Sequence, residues 1–249
     1  MGRIFLLSPA NCGGRRASQV VSDRANFSLA HRLRSPEGAP LGEVFAFMSG
    51  LYFRGKLAYS RRFAAPPDPG DPLVSGGVLV ITPNAGLRGA DVAVTRDSIH
   101  AFAGEPIDLE NERYLRPLEQ SARTLRAAVG ADCEVVLLGS VASGKYVEVL
   151  QPVFGDRLLF PSAFVGRGDM SRGGLMLRCA DSGDELDYVP IAGAVRHGPR
   201  PPKLAPLRTG SAQNADGPPR SIWQTGLTPV RDFVTSGVSP GNRRSARRK

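Results

Sequence analysis

The chain has 249 residues, enough for one large domain or two small ones, and a net charge of +9. The surplus is local: residues 196–249 hold eleven Lys or Arg against two Asp, leaving 21 basic and 21 acidic side chains in residues 1–195. The pI of 10.1 therefore describes an extension and excludes a cationic fold. Cys12, Cys133 and Cys179 stand far apart, and His31, His100 and His197 are scattered. That pattern argues against a disulfide scaffold and a zinc site, and it fits a reducing cytoplasm; no metal or other cofactor is expected.

In chain order, residues 3–8 read as a buried strand, continuous in apolar character and stopped by Pro9. The apolar run of residues 4–7 is too short for a leader or a membrane span, so no membrane partner is expected. Residues 22–34 suggest a short helix. Residues 40–63 form the strongest helical pattern, with Leu41, Val44, Phe45, Met48, Leu51, Tyr52 and Tyr59 near the 3.6 period and a kink expected at Gly50 or Gly55. Residues 77–82 are a second buried strand, and Thr95 caps a helix through residue 102. A longer helix over 111–129 is stopped by Gly130. Residues 134–138 and 157–160 are further strands, separated by a helix over 143–153. Residues 175–179 and 186–191 suit an antiparallel hairpin across Asp181-Ser182-Gly183-Asp184.

Continuous apolar strands alternating with helices define an α/β fold. A mostly parallel, Rossmann-like sheet of about four to six strands is expected, with helices on both faces, over residues 1–195. Residues 196–249, rich in Pro, Gly and Arg, lack the apolar clusters needed to offset chain entropy and read as a disordered tail. Its Arg243-Arg244-Ser245-Ala246-Arg247-Arg248-Lys249 end is either a solubilising cationic terminus or an arm on nucleic acid, and the segment around Trp223 suits a protein partner.

Three strands empty into loops of glycine with basic or hydroxyl side chains, which suit an anionic ligand at the carboxyl edge of a sheet. The first offers Asn11, Cys12, Gly13, Gly14, Arg15 and Arg16. Flanking cations would lower the Cys12 pKa and make it a candidate nucleophile, with a small apolar filler as the alternative. The second, Gly139 to Ser143, Gly144 and Lys145, matches G-x-x-x-x-G-K, but Tyr146 stands where a Ser or Thr would hold magnesium. A metal-free anion site there, or a degenerate phosphate loop, competes with a plain turn. The third spans residues 165–174: Arg167, Ser171 and Arg172 can fork onto anions, and Asp169 is a candidate catalytic carboxylate. Tyr52 and Lys56, four apart, share a helix face and form a possible secondary pocket or simply a core edge.

Leu51-Tyr52-Phe53-Arg54-Gly55-Lys56, Val80-Ile81-Thr82-Pro83-Asn84-Ala85-Gly86-Leu87, Pro106-Ile107-Asp108 and the Lys145-Tyr146 helix start carry a resemblance. In that order they resemble the YaaA-like proteins and the uracil-glycosylase-like domain of archaeosine synthase, over residues 3–165. Ala85 stands where those proteins have Tyr. The resemblance implies an α/β protein tied to nucleic-acid maintenance or 7-deazaguanine handling. Together these readings give a protein that binds a nucleotide, nucleobase or nucleic acid; whether it is an enzyme stays open. The alternative is a non-catalytic adaptor whose tail binds nucleic acid or a protein partner.

Overall fold

A computed structural model describes residues 1–204, and residues 1–205 form one compact unit. Most of the expected tail, including the Trp223 segment, falls outside the described residues. Strand β1 (Gly2–Leu7) leads to helices α1 (Arg15–Val21) and α2 (Ser28–Arg34). Strand β2 (Ala39–Pro40), α3 (Leu41–Ser49) and α4 (Leu51–Phe63) follow, then β3 (Val78–Ile81), β4 (Leu87–Gly89), β5 (Ala93–Val94), α5 (Arg96–Ala103) and α6 (Glu112–Val129). The chain continues through β6 (Cys133–Leu138), α7 (Gly144–Phe154), β7 (Leu158–Pro161), α8 (Asp169–Ser182) and β8 (Tyr188–Pro190).

Six strands form one sheet in the order β4-β3-β1-β6-β7-β8, and β2 pairs with β5 separately. Strands β3, β1, β6 and β7 are parallel, while β4 and β8 are antiparallel edges. Side chains alternate across the sheet. Phe5, Leu7, Val80, Val136 and Leu138 meet the face covered by α1–α5 and α8. Ile4, Leu6, Ile81, Val135 and Leu137 meet α6 and α7 on the other. Burial on both faces is why these strands read as unbroken apolar runs. The chain leaves β1 toward β3 on one side and returns to β6 on the other, so the order reverses at the carboxyl ends of β1 and β6. The fold is therefore doubly wound, α/β and Rossmann-like.

The long helix over 40–63 is broken into α3 and α4 at Gly50, whose φ of 62° a side chain would resist. The helix over 22–34 is shorter than expected, α2 alone, and α1 precedes it; Arg15 and Arg16 thus open a helix and do not lie in the loop.

The hairpin over 175–191 is not formed. Residues 169–182 are helical, and only Tyr188–Pro190 pairs, with β7. Arg172, Met176 and Cys179 lie at helical spacing and are buried. Gly173, which reads as a turn residue, is where α8 meets α4: a Cβ there would stand 2.7 Å from the Leu51 carbonyl oxygen. A Cβ on Gly55 would stand 2.5 Å from the Gly173 carbonyl oxygen, so paired glycines let the two backbones touch.

Candidate functional site

A cleft of about 520 Å³ opens at the carboxyl edge of the sheet. Residues 9–13 after β1, Pro83 after β3, residues 102–107 from the end of α5 into the connection to α6, and Tyr146 on α7 line it. The Asn11 side-chain oxygen accepts a hydrogen bond from the Gly13 amide at 3.0 Å, which holds the β1 loop in a tight turn. Gly14 follows as the cap of α1. Cys12 is buried, with Sγ 3.6 Å from the Ala10 carbonyl oxygen. Burial pushes its thiol up to about 12, the reverse of the lowering expected from its neighbours. Arg15 and Arg16 are exposed on α1 and do not line the cleft; Arg16 donates to the Phe47 carbonyl oxygen at 3.4 Å.

Behind the cleft, Ser8 ends the β1 run, its amide donating to the Leu138 carbonyl oxygen at 3.1 Å. Gly139 lets the two strand ends approach, since a Cβ there would stand 2.9 Å from that of Ser8. Lys56 reaches Ser8 from α4: Nζ donates to its carbonyl oxygen at 2.5 Å and to Oγ at 2.9 Å. The same ammonium lies 4.5 Å from the Tyr52 ring centroid and 4.7 Å from that of Phe53. Its burial is complete and pulls the amine down to about 7, opposed by the Asp169 carboxylate.

Tyr52 is 8% exposed, and its hydroxyl has no hydrogen-bond partner among the described residues. Burial pushes that phenol up to about 12, against the pull of the Arg172 charge. The Tyr146 phenol is likewise pushed up to about 12, by burial and then by Tyr52 and Asp169. Tyr146 thus joins the cleft to the set behind it.

Arg172 donates from Nε and Nη2 to the Phe164 carbonyl oxygen at 3.2 and 3.0 Å and stands 3.7 Å from Asp169. Its guanidinium is committed to the protein, so it does not fork outward onto a ligand as expected. Among the described residues, Lys56 and Arg172 are the charged side chains buried in the core, and both are here. The Arg172 charge is only partly compensated, because Asp169 is 3.7 Å away and largely solvent-exposed. Buried charge without a close counter-charge is costly and raises the local positive potential.

The three glycine-bearing loops share one edge of the sheet but divide their residues. The β1 loop and Tyr146 form the cleft, and Asp169 with Arg172 joins Tyr52 and Lys56. Arg167 and Ser171 face a separate groove of about 260 Å³ with Met170 and residues 200–204. Ser143 caps α7 without a side-chain hydrogen bond, and Lys145 is exposed. The Glu148 carboxylate folds back against Gly144, so the start of α7 already carries negative charge. Ser8, Phe102, Gly104 and Glu105 were not assigned from the sequence, and Pro106 and Ile107 entered only through the resemblance; the signal for Ser8 was its position directly after an apolar strand.

Among the described residues no group of three His, Cys, Asp or Glu side chains is placed to hold a metal, and no helix is long and apolar enough to cross a membrane. No protein-family model matches the chain, and neither a curated protein nor a solved structure matches it.

Proposed function

We propose that the cleft binds a nucleobase-containing ligand, a nucleoside or nucleotide. The observation that carries this reading is a cleft at the point where strand order reverses, with two buried basic side chains, Lys56 and Arg172, behind it. Ligands of open α/β sheets lie in that crevice, and the volume suits a small organic molecule. The half-buried Tyr146 ring supplies flat surface for a base. The loop of residues 9–13 supplies backbone polar groups, and the buried Arg172 charge behind favours an electron-rich or anionic ligand. The resemblance to the YaaA-like proteins supports the same ligand class. The reaction to test first is exchange or release of a base at its glycosidic bond, with Asp169, beside the cluster behind the cleft, as the carboxylate.

The test is a thermal-shift panel of free bases, nucleosides and nucleoside monophosphates. A ligand at about 100 times its Kd stabilises by roughly 2.7 kcal/mol, which corresponds to about 5–10 °C for a domain of this size. The reading expects such a shift for at least one class and its loss in Tyr146→Ala. No shift across the panel, or one unchanged in that variant, refutes it.

A further inference from the structure

The separate groove beside α8 has a different character from the cleft. Residues 198–204 run against the β7–α8 connection, where the ideal Cβ of Gly198 would stand 2.9 Å from the Val165 side chain. The groove between them is lined by three cations, Arg167, Arg200 and Lys203, and by no carboxylate. Among the described residues none of the three has an acidic partner within ion-pair distance. Arg167 is held in place by its own fold, donating from Nε to the Ala163 carbonyl oxygen at 2.9 Å and from Nη1 to Ser171 Oγ at 3.3 Å. Those two bonds leave Nη2 without a partner among the described residues.

We infer that this groove takes the phosphodiester backbone of a single nucleic-acid strand. Three uncompensated cations lining one groove suit a polyanionic backbone. The neighbouring sequence has the same sign, with eight Lys or Arg and two Asp after residue 205. The groove and the cleft cluster also share the first turn of α8: Met170 and Ser171 line the groove, while the Asp169 charge acts on Lys56, Tyr52 and Tyr146. A strand lying in the groove therefore runs beside the first turn of α8, the turn that carries Asp169. This inference rests on the nucleobase reading of the cleft and narrows its substrate from a free nucleotide to a base within a strand.

The test uses the full-length chain and fluorescence anisotropy with labelled single-stranded 12-mers, one DNA and one RNA, over a salt series. Unlabelled nucleoside monophosphates are measured in parallel. For single strands each phosphate contact contributes about 0.7 to the log–log salt slope. Arg167→Ala/Arg200→Ala/Lys203→Ala should lower that slope by about 2 and weaken strand binding by roughly ten- to a hundredfold at 0.1 M salt. Mononucleotide binding should stay within about twofold. Because Arg167 also holds the β7–α8 connection, Arg200→Glu/Lys203→Glu, confined to residues outside regular structure, should give the same direction of change. An unchanged slope and strand affinity in both variants, or no strand binding by the wild type, overturns the inference. An equal loss of binding to polyglutamate of matched charge overturns the assignment to nucleic acid. If strand binding falls as expected while no mononucleotide binds, the groove stands and the nucleobase reading of the cleft fails.

Discussion

Replacing Lys56 by Met tests whether the ammonium is as deeply buried as the structure shows. In the folded chain burial lowers its pKa to about 7 from an ordinary 10.5. Between those values the unfolded chain binds the proton and the folded chain does not. Stability therefore rises with pH across this window, as the cost of a buried charge is relieved. From pH 6 to pH 9 the gain is about 2.5 kcal/mol, at 1.36 kcal/mol per unit. The assay is urea unfolding of wild type and Lys56→Met at several pH values between 6 and 9. Groups remote from Lys56 cancel in the difference, and the wild type should gain about 2.5 kcal/mol on the variant. A difference that stays flat within about 1 kcal/mol, or runs the other way, would refute the burial argument.

Other substitutions probe the same region. Gly173→Ala should destabilise by about 1–3 kcal/mol in denaturant unfolding, because its Cβ meets the α4 backbone; a neutral result contradicts the helix contact. Tyr52→Phe removes an unpartnered hydroxyl and should leave stability unchanged or raise it by about 1 kcal/mol. A clear loss would reveal a partner. Cys12, with its thiol raised to about 12, should resist iodoacetamide at pH 8 until the chain unfolds. Peptide mass spectrometry reads this, and rapid native labelling of Cys12 would restore the nucleophile hypothesis. Arg172→Met should cost about 1–2 kcal/mol, since it removes the guanidinium bonds to the Phe164 carbonyl oxygen, which keeps the Arg167 amide as a donor.

The parallel core was legible because strands covered on both faces must be apolar at every position. The α6 boundaries were legible because Asn111 caps the helix by accepting from the Arg113 amide at 3.1 Å and Gly130 ends it. Helix α8 was not. Gly173-Gly174 looks like a turn, and only the approach of α4 explains a glycine inside a helix. The face shared by Tyr52 and Lys56 was visible from spacing, but the burial of Lys56 depends on Ser8, 48 residues earlier. The basic character of Arg172 suggested a ligand contact, whereas the fold turns it inward onto Phe164. The far wall of the cleft comes from residues 102–107, which a local pattern does not connect to the β1 loop.

A crystal structure of the full chain with a saturating nucleoside monophosphate tests the central claim most directly. Ligand density is expected between the loop of residues 9–13 and Tyr146, with the base against that ring. Density confined to another surface, or an empty cleft at saturating ligand, would contradict it.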